Sequence, residues 1–239
     1  MNDETIVCII AAAGRGRRFG REMPKSFYPL EGGTLLARSV ESIAAYKGIS
    51  HYIVVVPQDW QKQAQEELEG RGKGFSFSIV PGGETRQESV AIGLKSVEKA
   101  DIVLVHDACR PVVSVQVIGR VIDAARDGGA AVPALAATET LGRIRDEVLE
   151  GIVPRERVVG IQTPQAFRLD ILRRAFDVAS ETISTATDES SLVLAAGYPV
   201  RVVEGERWNI KVTVKEDLEI VESFIAGKLL TLPGWDEEP

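Results

Sequence analysis

Short, wholly apolar runs alternate along the chain with stretches in which apolar residues return every three or four positions. Ile6-Val7-Cys8-Ile9-Ile10 is apolar throughout, as a strand covered on both faces of a parallel sheet should be. Leu36, Val40, Ile43 and Ala44 follow at helical spacing, and the run Ile53-Val54-Val55-Val56 then closes on Pro57. That order predicts a β-α-β unit. Further strands are predicted around Ser76 to Val80, Ile102 to Val105, Ala130 to Pro133 and Val200 to Val203. Helices are predicted near Gln87 to Val97, Val115 to Ala125, Leu169 to Ala179 and Leu218 to Ile225. The alternation specifies an α/β sandwich with a mostly parallel sheet flanked by helices.

One stretch breaks the rhythm. Thr138 to Arg157 carries two short apolar pieces, Leu141 to Ile144 and Val148 to Val153, around the polar turn Arg145-Asp146-Glu147. It reads as a two-stranded arm, and because an isolated hairpin is marginally stable, a second copy of the chain is the simplest surface for it to pack on. A hairpin laid on its own sheet is the alternative. At roughly 150 residues per domain the 239-residue chain makes about 1.6 domains, so one large domain, or a domain plus an appendage, is expected. We place that domain at residues 1–232, with the arm at 138–157 and a frayed tail at 233–239.

Composition narrows the function. The net charge of −7 argues against a general nucleic-acid binder, and no apolar run approaches the ~20 residues of a bilayer-spanning helix. The opening MNDETIV lacks the basic and apolar segments of a signal peptide, so a cytoplasmic location is expected. Cys8 and Cys109 are too few for a disulfide framework, and with His51 and His106 they form no zinc-site spacing.

Chemistry concentrates after the first strand. In Ala11-Ala12-Ala13-Gly14-Arg15-Gly16-Arg17-Arg18-Phe19-Gly20, small residues let the backbone approach a ligand and leave N–H groups free for phosphate oxygens. Arg15, Arg17, Arg18, Arg21 and Lys25 add more cation than a dinucleotide's pyrophosphate needs, which points to a triphosphate. A dinucleotide fingerprint fails because Phe19 stands where its last glycine belongs, and Met23-Pro24 before Lys25 breaks the P-loop pattern. The bland alternative is a solvated basic turn.

A second cluster, His106-Asp107-Ala108-Cys109-Arg110-Pro111, follows the strand that ends at Val105. Ligands of open parallel sheets bind beyond the carboxyl ends of the strands, so this segment and the glycine loop should meet there. Asp107 is then a candidate for Mg²⁺ or a substrate hydroxyl. Thiol catalysis by Cys109 is not favoured, since nothing in sequence marks it as activated. The Gly82-Gly83 turn, with Ser89 beyond it, can offer backbone groups to a base edge. Thr187 and Asp188 read as helix caps. Lys211, between Ile210 and Val212, points away from both apolar neighbours if the segment is extended; a single such lysine is usually just solvated.

Taken together, AAAGRGRRFG, PKS, GGETRQES, HDACRP, ETLGRI, QTPQAF, TDES and NIKVT occur in an order and spacing that resemble the 2-C-methyl-D-erythritol 4-phosphate cytidylyltransferases of the non-mevalonate isoprenoid pathway. The resemblance implies a Rossmann-like nucleotidyltransferase fold, a homodimer formed through the arm, and Mg²⁺-dependent transfer of CMP from CTP to methylerythritol phosphate. By matching motif it assigns Arg18 and Lys25 to the α-phosphate and Lys211 to the attacking phosphate. Arg155 and Thr140 would reach the acceptor in the neighbouring subunit, while Asp107, Arg110 and Thr163 would contact it from the home subunit. Ala12, Ala13, Gly83 and Ser89 fall on cytidine contacts, with Gly14 and Gly16 in the phosphate loop. The departures are Phe19 for a usual methionine, Cys109 for alanine and Glu139 for aspartate. The close relative to separate is ribitol 5-phosphate cytidylyltransferase; a sugar 1-phosphate nucleotidyltransferase and a non-catalytic nucleotide-binding protein of the same fold are more distant.

Overall fold

The structure is a computed structural model that describes residues 4–14, 23–71, 75–179 and 186–227. The 15–22 part of the glycine loop, with Gly16, Arg18 and Phe19, and the 233–239 tail lie outside the described residues. In chain order the elements are β1 (Ile6–Ala11), β2 (Pro29–Leu30), β3 (Gly33–Thr34), α1 (Leu35–Ala44), β4 (His51–Val56), α2 (Gln61–Glu69), β5 (Phe77–Pro81), α3 (Arg86–Lys95) and β6 (Ile102–Asp107). They continue with α4 (Val115–Gly128), β7 (Ala130–Ala136), β8 (Leu141–Arg145), β9 (Val148–Val153), β10 (Val159–Ile161), β11 (Gln165–Arg168), α5 (Leu169–Val178), α6 (Glu189–Ala195), β12 (Arg201–Glu204) and α7 (Lys215–Ile225).

β1 sits between β4 and β6, parallel to both, and β5 extends the parallel set beyond β4. On the other side of β6 comes β11, antiparallel to it and to β7. β10 pairs antiparallel with the far end of β7, and β12 runs parallel along its other edge. The sheet is therefore mostly parallel, as predicted, with two antiparallel insertions that the sequence pattern did not show. Val159–Ile161 and Gln165–Arg168 are too short to carry a period, and their pairing is non-local.

Alternation along the strands divides the core in two. Ile6, Cys8 and Ile10 of β1 pack with Leu36, Val40 and Ile43 of α1, Leu68 of α2, and Ile118 and Val121 of α4. Val7 and Ile9 face the opposite layer, with Val90 and Leu94 of α3, Leu172 of α5 and Val193 of α6. Helix α2 was missed in the sequence because its nine residues bury only Ala64 and Leu68, leaving almost no apolar period. Asp188 caps α6 as expected: its carboxylate accepts the Ser191 N–H at 2.9 Å. Among the described residues no helix is long and apolar enough to cross a membrane.

Among the described residues β8 and β9 pair only with each other, through a turn in which Asp146 and Glu147 adopt positive φ. Ile144, Val148, Leu149 and Ile152 on this hairpin are 72, 66, 59 and 54% exposed, an apolar surface that the single chain leaves uncovered.

Candidate active site

The carboxyl ends of β1 and β6 come into register at Ala11 and Asp107, and a cleft of about 340 Å³ opens above them. Ala11 to Gly14, Lys25, Ser26, Arg86, Ser89, Asp107, Cys109, Lys211 and Thr213 line it. A second cleft of about 310 Å³ adjoins it, bordered by Arg110, Ile161, Gln162, Thr163, Gln165 and Asp188. Arg86, Asp107 and Lys211 belong to both, so they form the wall between the two.

Each cation is held by its local fold. Lys25 opens a single helical turn after Pro24, where Ser26 Oγ donates to the Ala12 carbonyl at 2.8 Å and the buried Phe27 ring packs on Trp60. That anchoring aims the Lys25 ammonium at the Val212 carbonyl, 2.6 Å away. Val212 is buried with Leu30, Leu35 and Val221, and its N–H donates to the Cys109 carbonyl at 2.8 Å. Lys211 consequently faces the cleft and pairs with Asp107 Oδ2 at 2.6 Å, so it is not merely solvated.

Asp107 ends β6 on the face that carries α3 and α6, and its other oxygen accepts from Arg86 Nε at 2.8 Å. Burial by itself would raise the Asp107 carboxyl, but Arg86 and Lys211 hold it well below the usual carboxylate range. Arg86 is the residue the sequence reading passed over. It stands at the first position of α3, where the helix dipole disfavours a cation. Burial also works against its charge, yet Asp107 and the buried Glu189 keep it firmly protonated. A cation in the first turn of a helix whose cap is already satisfied was the one signal available for it.

Behind the wall, His106 and Thr163 fix the Asp107 backbone. The Arg110 carbonyl can only accept, so His106 Nε2 carries the proton and donates to it at 3.0 Å. His106 Nδ1 must then accept from the Thr163 hydroxyl at 3.1 Å, and that hydroxyl itself accepts the Asp107 N–H at 3.1 Å. Burial pushes the imidazole down to about 4, which keeps this tautomer neutral. The Thr163 hydroxyl is thus engaged twice inside the protein, a supporting duty added to its place on the border of the second cleft. The Thr163–Pro164 peptide is cis.

The remaining assignments divide similarly. Ala12, Ala13, Gly14 and Ser89 do line the first cleft, whereas Gly83 does not. Its N–H donates to Ser89 Oγ at 3.1 Å, so that group is not free for a base edge; Ser89 in turn donates to the Thr85 carbonyl at 2.8 Å. Arg110 borders the second cleft and donates from Nη1 to the Asn209 carbonyl at 2.7 Å. Arg155 and Thr140 lie on the exposed arm and line neither cleft of their own chain; Arg155 Nη1 donates to the Thr138 carbonyl at 2.5 Å. Burial pushes the Cys109 thiol up, against the pull of Lys25, in keeping with an unactivated side chain.

A metal role for Asp107 does not fit this arrangement. Both of its oxygens already face cations, and a divalent ion bound there would be repelled by Arg86 and Lys211. Among the described residues no group of three or more acidic, His or Cys side chains is placed to hold a metal.

Ammonium groups from two distant chain segments, brought to the carboxyl ends of a parallel sheet beside a glycine loop, define a class: Rossmann-like enzymes that act on nucleotide phosphates. Comparison with known proteins narrows it. The chain belongs to the IspD family, the 2-C-methyl-D-erythritol 4-phosphate cytidylyltransferases, whose family model matches residues 6–227. Proteins of that name from Acidobacterium capsulatum and Geobacter metallireducens are 38% and 36% identical to it, covering 92% and 94% of this chain and 97% and 99% of their own. The crystal structure of the cytidylyltransferase from Thermus thermophilus superposes with a TM-score of 0.76 at 35% identity, over 93% of this chain and 99% of that one. The 4-diphosphocytidyl-2C-methyl-D-erythritol synthase of Anaerococcus prevotii gives 0.82 at 28% identity, over 94% and 97%.

Proposed function

We infer that this chain transfers CMP from CTP to 2-C-methyl-D-erythritol 4-phosphate, releasing pyrophosphate. The observation that carries the reading is the shared wall: Lys211 lies between a cleft that opens on the glycine loop and a second one that borders Arg110. The triphosphate occupies the first and the acceptor phosphate the second. An oxygen of the acceptor phosphate attacks the α-phosphorus of CTP, and the bond from that phosphorus to the α,β-bridging oxygen breaks. Pyrophosphate leaves with the electron pair. The nucleophile is already ionised at neutral pH, so no general base is needed. What the site must offset is repulsion between two anions, followed by charge growing on the leaving group.

Lys25 and Lys211 supply that compensation from fixed positions, and Arg18 is assigned the same task by family resemblance. Mg²⁺ is proposed to enter with CTP, held by phosphate oxygens and not by Asp107; when bound it would neutralise triphosphate charge. The arm is proposed to seat on a second copy, covering Ile144, Val148, Leu149 and Ile152 and carrying Arg155 and Thr140 to the partner's acceptor cleft. Support for this comes from the exposure of these residues and from the absence of Arg155 and Thr140 from the lining of either cleft of their own chain.

Pyrophosphate release should be measured with CTP and Mg²⁺, offering methylerythritol phosphate and ribitol 5-phosphate in parallel. Release with the first alone is expected. Release with the second alone would overturn the acceptor, and silence with both would overturn the enzymatic reading. A monomeric mass in solution with full activity would overturn the roles of Arg155 and Thr140.

A further inference from the structure

Glu189, the first residue of α6, lines neither cleft and is completely buried. A buried carboxylate away from substrate requires a reason, because its desolvation is costly unless it is paired. Its two oxygens accept from Arg86 Nη1 at 2.7 Å and Nη2 at 3.0 Å, a bidentate fork. The third nitrogen of the same guanidinium, Nε, donates to Asp107, whose far oxygen takes the Lys211 ammonium. Glu189, Arg86, Asp107 and Lys211 therefore form one line of alternating charge. It runs from the core out to the wall between the clefts, where the Lys211 side chain is 41% exposed.

We propose that Glu189 is a positioning residue for the transfer: by pinning Arg86 from behind, it leaves Asp107 one oxygen for Lys211 and so sets where that ammonium stands. This rests on the reading in which Lys211 holds the attacking phosphate. With Glu189 in place, both Nη nitrogens of Arg86 are held and the guanidinium cannot turn. Without its charge, Arg86 has a single carboxylate to serve and rotates to grip both oxygens of Asp107. Lys211 then loses its partner and its position.

The test is Glu189→Gln, with the wild type alongside. Its kcat should fall about ten-fold or more while KM for CTP stays within roughly two-fold, since the displaced Lys211 is read as holding the attacking phosphate and the loop residues Ala11 to Gly14 and Lys25 of the first cleft keep their places. Independently of any acceptor, Lys211 should be acetylated several-fold faster by a small amine-directed reagent, followed by peptide mass spectrometry. The double variant Arg86→Gln/Glu189→Gln replaces the buried ion pair by a neutral hydrogen-bonding pair. It should melt near the wild type, and because no Arg86 charge is left to claim both oxygens of Asp107, Lys211 should be labelled at close to the wild-type rate; this variant carries the test if Glu189→Gln does not fold. A folded Glu189→Gln enzyme with wild-type kcat and unchanged Lys211 labelling would overturn the proposal. So would a stable double variant in which Lys211 is labelled several-fold faster than in the wild type, because Arg86 would then not be what displaces the lysine. A wild type that releases no pyrophosphate would refute the assigned reaction, while the labelling of Lys211 would still decide the role of Glu189.

Discussion

Thr163→Val tests the support behind Asp107 with little change of shape, since a methyl takes the place of the hydroxyl. In the folded chain that hydroxyl accepts the Asp107 N–H at 3.1 Å and donates to His106 Nδ1 at 3.1 Å, and all three residues are buried. The valine leaves one donor and one acceptor without partners. Each such group costs about 1–3 kcal/mol, so the variant should lose roughly 2–6 kcal/mol before any relaxation. For a chain of this size each kcal/mol lowers Tm by about 2–4 °C, giving an expected fall on the order of 10 °C. Thermal unfolding followed by circular dichroism reads this directly, with Thr163→Ser, which keeps the hydroxyl, as the control that should melt near the wild type. Acceptor turnover should fall in the valine variant as well, because Asp107 is displaced. A valine variant that melts within about 1 °C of the wild type yet loses kcat/KM for the acceptor would refute the reasoning and return Thr163 to direct substrate contact.

Acid should destabilise the protein through His106. Its folded value of about 4 lies below the ordinary 6.5, so the unfolded chain takes up the proton first and stability drops as pH falls from 6.5 towards 4, by about 3 kcal/mol. Asp107 is held low, so its contribution is present above its ordinary value of 3.8 and is lost only below it. Urea midpoints measured across this range should be flatter for His106→Gln, and parallel curves for the two proteins would contradict the assignment. Lys25→Met should lower kcat by about a hundred-fold or more with little effect on Tm, judged by steady-state rates beside melting curves; normal turnover would remove Lys25 from the transfer. Gly82→Ala should raise KM for CTP several-fold, because a Cβ there collides with Ala13 on the nucleotide loop and comes within 2.9 Å of Ser89 Oγ. An unchanged KM would show that this turn does not shape the cytidine site.

Much of the fold was legible along the chain because it rests on local periodicity. The apolar runs at β1, β4 and β6 and the helical spacing in α1 and α4 needed only alternation and the 3.6-residue turn. The hairpin at β8 and β9 was also readable, since its polar turn divides two apolar pieces. Within the site, the small residues at Ala12 to Gly14, and Lys25, Asp107, Arg110 and Lys211, could be singled out from residue type and motif order. What tertiary structure alone decided is which groups meet. Glu189 lies 103 positions from Arg86 in sequence, and nothing local to either announces their pairing. The same holds for Thr163 and His106, whose hydrogen bond gives the hydroxyl a structural duty that its motif did not reveal. Lys211 looked like any solvated lysine until the buried Val212 turned it towards Asp107. Periodicity is written in neighbouring residues, but charge compensation in a low-dielectric wall depends on distances of a few ångströms, and these exist only once the chain has folded.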